Sequence, residues 1–134
     1  YGLEERVILS SFNHRSVMKC KALAPEIRCG FRAKYVADAA ARVASGALDL
    51  EALRKQSYEA AKAALMTVYG VGAKVADCVL LFSLGFYEAF PVDVWVKKVI
   101  AKYYGEGFDG RRFGAYAGVA QQYLFYYERS LSGR

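Results

Sequence analysis

With 134 residues the chain has material for one domain with one core, so any reading with two ordinary domains has to involve fragments. A 55% hydrophobic content with only two prolines excludes a disordered tail or a low-complexity linker. Nineteen Lys and Arg against thirteen Asp and Glu give a net charge of +6, spread as +2, +2, +1 and +1 over residues 1–29, 30–64, 65–104 and 105–134; a polyanionic partner is favoured, but no basic tail exists to hold it.

The first element predicted is a buried strand over residues 5–12, a short run centred on Val7, Ile8 and Leu9, followed by an amphipathic helix over 17–23. Pro25 ends that helix by pushing Ala24 out of the helical region. From Gly30 onward the pattern is helix after helix. Phe31, Tyr35, Ala39, Arg42 and Val43 fall near one stripe of an Ala-rich helix that stops around Ser45 and Gly46. Asp49 is placed to cap a short helix through Leu50 and Leu53, and Ser57 to cap another reaching Met66.

Next comes Tyr69-Gly70-Val71-Gly72-Ala73-Lys74-Val75-Ala76-Asp77-Cys78. Two glycines two residues apart, between a helix end and a helix start, predict a tight hairpin and a second helix over 73–84 that stops at Gly85. The free N–H groups of that helix's first turn suit a backbone phosphate; taken alone, the same glycines are only a turn.

Pro91-Val92-Asp93-Val94 follows, with Asp93 placed to cap a helix over 94–104. A helix over 73–84 climbs about 18 Å, and the eight residues 85–92 can return up to roughly 26 Å. Asp93 can therefore come back beside Lys74. A lysine and a carboxylate at the mouth of a phosphate-binding hairpin fit a nucleophile and its charge partner; singly, each also fits a solvated lysine or an ordinary helix cap.

The last predicted helix, over 111–131, carries Tyr116, Ala120, Tyr123, Leu124, Tyr127 and Leu131 at helical spacing, which reads as a core stripe. Gln121 and Phe125 share a neighbouring face, where an amide beside an aromatic plate can read and stack on a planar base; an exposed glutamine and a rim phenylalanine are the alternative. Cys20, Cys29 and Cys78 form no CxxC pair, and none lies after residue 78, which excludes a zinc ribbon and a C-terminal four-cysteine cluster. Three cysteines without a disulfide pattern point to a reducing cytoplasm. The absence of an apolar run of 18 or more points to no membrane span.

Four motifs in one colinear order carry a family resemblance: Gly30-Phe31-Arg32-Ala33-Lys34-Tyr35, the hairpin from Gly70 to Cys78, Pro91-Val92-Asp93-Val94, and Tyr116 to Phe125. Residues 30–134 resemble the C-terminal part of 8-oxoguanine DNA glycosylases of the helix-hairpin-helix-GPD superfamily, in the bacterial form. The resemblance implies a mainly α fold, a helical bundle around the hairpin. It also implies a monomeric base-excision repair enzyme that acts on double-stranded DNA containing 8-oxoguanine or abasic sites and combines glycosylase with abasic-site lyase activity. Lys74 matches the lysine that attacks C1′ and forms a Schiff base, which requires it to be partly neutral, and Asp93 the aspartate that supports the cationic sugar. Cys78, Gln121 and Phe125 match residues packed on the flipped base, reading its edge and stacking on it. Phe31 and Arg32 match the residue wedged into the duplex and the arginine that meets the estranged cytosine, while Gly70 and Gly72 form the phosphate grip. The carbonyls of Met66, Val68 and Val71 match those that hold a monovalent cation, the one cofactor implied. Trp95 departs from the histidine of animal relatives.

Before Gly30 the resemblance changes. Residues 1–29 are similar to a late strand-and-helix unit of a glycerophosphodiester phosphodiesterase, without that family's metal-ligand motifs, so His14 is read as structural. A second alignment, of Ser10-Ser11-Phe12-Asn13, makes Asn13 a duplex contact. The expected organisation is a foreign or truncated segment over 1–29 joined near Cys29 and Gly30 to the catalytic part. The alternatives to an enzyme are a non-catalytic hairpin that grips DNA and an inactive hybrid.

Overall fold

The protein is described from a computed structural model, which covers residues 8–9, 28–29 and 32–132. Asn13, His14, Phe31 and the predicted helix over 17–23 lie outside the described residues. Strand β1 (Ile8–Leu9), inside the predicted strand, pairs in parallel with β2 (Arg28–Cys29), Ile8 opposite Arg28. Such a two-residue strand carries too little pattern to stand out in sequence.

The remaining elements are helical, as expected: α1 (Ala33–Ala44), α2 (Leu50–Leu53), α3 (Tyr58–Met66), α4 (Ala73–Val79), α5 (Val94–Val99) and α6 (Ala117–Ser132). The predicted caps form. The Asp49 carboxylate accepts from the Glu51 and Ala52 amides at 3.0 Å, the Ser57 hydroxyl from Ala60, and Asp93 from Val96 at 2.8 Å. α4 continues through a wider, π-type winding over Leu80–Leu84 to Gly85 at φ +81°, the stop expected from the glycine. α5 does the same over Ile100–Tyr104, ending at Gly105.

Two apolar clusters hold the helices together. Leu53, Ala61, Leu65, Ala76, Leu80, Leu81, Phe86 and Ala89 lock α3 against α4. Phe90, Val96 and Ala117 centre the second, with Phe108, Phe113, Leu124 and Phe125 packed around them, and it joins α5 to α6.

The hairpin between α3 and α4 is fixed from α1. The Asp38 carboxylate accepts from Arg42 at 2.9 Å and from the Tyr69 amide at 3.1 Å, and the Tyr35 and Tyr69 rings meet edge to face at 4.9 Å. Gly70, at φ +83°, sits where an added β-carbon would fall on the Tyr35 ring. Gly70→Ala therefore carries both a left-handed backbone and a ring collision, about 1–3 kcal/mol from the backbone alone. A lower urea midpoint, only partly restored by Tyr35→Ala, is the expected result.

The final helix differs from its expectation. Gly110–Tyr116 forms a 3-10 segment with a break at Gly114 (φ 66°, ψ −148°), so α6 begins at Ala117 rather than near Arg111. Its buried face is also rotated. Ala117, Gly118, Gln121 and Glu128 are buried, whereas Tyr116, Tyr123 and Tyr127 are more than half exposed. Small and polar side chains let α6 approach its neighbours closely, and the tyrosines, polar at their tips, remain at the surface.

Candidate active site

The first turn of α4 leaves the hairpin with Gly72 in extended backbone as its N-cap; a β-carbon there would meet nothing within 4 Å, so this side is open to a ligand. Lys74 follows, exposed and with no hydrogen bond or ion pair among the described residues. Lys74, Cys78 and Phe82 recur every fourth residue and share one face.

That face meets the chain returning through Pro91 and the buried side of α6. Lys74, Cys78, Phe82, Pro91, Asp93, Gln121, Gln122 and Phe125 line one open pocket of about 150 Å³. The structure thus brings together Lys74, Asp93, Cys78, Gln121 and Phe125, five residues from three separate stretches of chain. Gln121 is 3% exposed rather than at the surface, and Gln122 Nε2 donates to its Oε1. Asp93 is half-buried, with Oδ1 engaged in capping α5. Arg32 lies apart from this pocket, exposed at the start of α1. Phe82, Pro91 and Gln122 were missed from sequence, although Phe82's spacing from Lys74 and Cys78 was a usable signal.

A second group was also missed. Asp77, 5% exposed, accepts from the Tyr58 hydroxyl at 2.7 Å (Oδ1) and from Lys62 Nζ at 2.9 Å (Oδ2), the Lys62 ammonium also lying 2.8 Å from Oδ1 in an ion pair and donating to the Tyr58 oxygen at 2.9 Å. Burial lowers the Lys62 ammonium, but its hydrogen bonds to Asp77 and Tyr58 together with the Asp77 charge outweigh this and raise it above its ordinary 10.5. Burial is the main cause that raises the Tyr58 phenol. Both groups hold their protons more tightly folded than unfolded. The stability they contribute is therefore complete below about pH 10 and is lost as pH rises through their raised folded values. Urea midpoints are expected to fall across that alkaline range in the parent protein, and to fall less in Lys62→Met.

No family model matches the sequence. A probable N-glycosylase/DNA lyase of Methanothermobacter thermautotrophicus is 34% identical over 109 residues, covering 75% of this chain and 35% of that protein. An N-glycosylase/DNA lyase of Arabidopsis thaliana is 36% identical over 116 residues, covering 72% of this chain and 32% of that one. Among solved structures, the Clostridium acetobutylicum 8-oxoguanine glycosylase/lyase, in complex with double-stranded DNA containing cytosine opposite 8-oxoguanine, superposes with a TM-score of 0.71 at 39% identity. That match covers 91% of this chain and 43% of that one. The chain is thus similar in sequence and in fold to N-glycosylase/DNA lyases and to an 8-oxoguanine glycosylase/lyase. It spans about a third of the length of these curated relatives.

Trp95 lies under Lys98, whose Nζ is 4.3 Å from the ring centroid, a cation–π contact. No helix among the described residues is long and apolar enough to cross a membrane.

Proposed function

We propose that the chain acts in base-excision repair on double-stranded DNA containing 8-oxoguanine or abasic sites, as a glycosylase and abasic-site lyase with Lys74 as nucleophile. The observation that carries this reading is the convergence of Lys74, Asp93, Cys78, Gln121 and Phe125 on one pocket beside the hairpin. The Lys74 amine adds to C1′ as the base leaves with a proton. Breaking of the C1′–O4′ bond, with a proton going to O4′, turns this adduct into a Schiff base, from which loss of a C2′ proton expels the 3′ phosphate. The Asp93 carboxylate offsets the positive charge that develops on the sugar. Cys78 and Phe125 bracket the flipped base, and Gln121, held in place by burial and by Gln122, reads its edge.

Around that centre, the Gly70 and Gly72 backbone grips a phosphate, and Phe31 and Arg32 meet the duplex. The carbonyls of Met66 and Val71 accept no hydrogen bond among the described residues, and that of Val68 accepts only the Val71 amide at 3.0 Å, so this set fits a monovalent cation. We read residues 30–134 as the catalytic part of a monomer working in the reducing cytoplasm, and 1–29 as a separate segment. At about 150 Å³ the pocket falls below the ~300 Å³ at which ligand sites begin. Abasic-site cleavage, which needs the reach of Lys74 more than a closed base pocket, is accordingly the stronger activity.

Borohydride trapping on an abasic duplex tests the reading. A covalent protein–DNA adduct supports it. Salt-sensitive duplex binding without any adduct would leave a DNA-gripping module instead.

A further inference from the structure

We propose that Lys62 and Tyr58 are positioning residues that occupy the Asp77 carboxylate and so keep it from pairing with Lys74. The inference rests on Lys74 as nucleophile but concerns the charges around it. Lys74 and Asp77 stand three residues apart on α4, a spacing at which helical side chains become neighbours and a lysine pairs readily with a carboxylate. Such a pair would hold the amine protonated and remove the lone pair that Schiff-base formation needs. Both residues line one open cavity of about 570 Å³, which Tyr58 and Lys62 also line. Lys74 nevertheless makes no ion pair among the described residues, while both Asp77 oxygens are engaged, Oδ1 by Tyr58 and Lys62 and Oδ2 by Lys62.

Charges from the other elements facing Lys74 do not substitute for Asp77. Asp109 is engaged by Arg111 at 2.8 Å. Glu88 is exposed on the loop after α4, and Asp93 caps α5. Cys78 sits one turn further along the same helix. Asp77 is the buried carboxylate on Lys74's own helix, and neutralising it takes two side chains of α3.

Reductive methylation of the full chain with formaldehyde and cyanoborohydride, read at Lys74 by peptide mass spectrometry from pH 6 to 10, measures the free amine without DNA. Lys62→Met, which releases Asp77, is expected to move the Lys74 labelling curve up by about one pH unit, the scale set by a nearby opposite charge. Asp77→Asn, which leaves Lys62 as an unpaired cation, is expected to move it down. The double variant should lie near the parent, and Lys62→Arg should keep the parental curve. An unmoved curve in Asp77→Asn, or shifts of the same sign in the two single variants, overturns the proposal. Should Lys62→Met fail to fold, the Asp77→Asn arm decides alone, because asparagine keeps a hydrogen-bonding oxygen for Tyr58. The labelling curve and the adduct assay fail separately: an untrappable parent protein ends the reading of Lys74 as nucleophile and leaves the amine measurement standing.

Discussion

Lys74→Gln is expected to reduce the borohydride-trapped adduct on abasic duplex by about 10³-fold or more, the order lost when a residue acting as nucleophile is removed. The same substitution should leave stability within about 0.5 kcal/mol, since Lys74 is exposed and forms no hydrogen bond or ion pair among the described residues. That contrast gives the prediction its discriminating power. A structural lysine would show the reverse, a fall in melting temperature with chemistry reduced only in proportion to unfolding. Asp93→Asn is the companion variant. Asparagine caps a helix about as well as aspartate, so the bond to the Val96 amide can be kept while the charge is lost. Base release should then fall while the fold holds. An adduct formed equally well by Lys74→Gln, through any other amine of the chain, would remove the central assignment.

The arrangement also explains why a mild net charge suffices for a proposed DNA enzyme. A grip made from backbone N–H groups needs few cations, and the +6 spread along the chain supplies general attraction rather than a binding stripe. The proposed chemistry is concentrated where α4 starts. One face of that helix offers Lys74 and Cys78 to the pocket, and the neighbouring Asp77 is bound by Tyr58 and Lys62 of α3.

Much of this was legible in the residues because it depends on local rules. Asp49, Ser57 and Asp93 announce helix starts through their own side-chain oxygens, and the paired glycines at 70 and 72 announce the hairpin. The meeting of Lys74 with Asp93 followed from helix rise and loop reach. What was not legible depends on partners distant in sequence. Nothing in the sequence around Asp77 signals its burial until Tyr58 and Lys62 are seen to arrive from α3. The tyrosines of α6 suggested a core stripe by their spacing, yet burial went to Ala117, Gln121 and Glu128. Tyrosine tolerates the surface, and the buried polar groups found partners, Glu128 with Lys102 at 3.4 Å and Gln121 with Gln122. The break at Gly114 was likewise hidden, because a glycine shows its positive φ only once the turn exists.

Gly118 is the position where the fold should be most sensitive to a single atom. Its amide donates to the Tyr87 carbonyl at 2.7 Å, and a β-carbon built on it would lie 2.5 Å from the Ala89 carbonyl oxygen and against the Leu81 methyls. In an unconstrained helix, glycine to alanine gains about 1 kcal/mol of helix propensity. Here the opposing contact is backbone, which cannot rotate aside as a side-chain tip can, and overpacking of this kind costs about 1–3 kcal/mol or more. Gly118→Ala should therefore be net destabilising in spite of its propensity. Gly118→Val, bulkier and without the propensity gain, should lower the melting temperature by roughly 10 °C. The displacement has a functional direction. Moving α6 away from the Tyr87–Ala89 loop carries Gln121 and Phe125 away from Lys74, Cys78 and Asp93, so the pocket loses the wall proposed to read the base while the hairpin keeps the proposed nucleophile. In Gly118→Ala, 8-oxoguanine excision is expected to fall further than adduct formation on abasic DNA. Equal losses in the two assays would mean that the wall carried by α6 contributes nothing specific to base recognition.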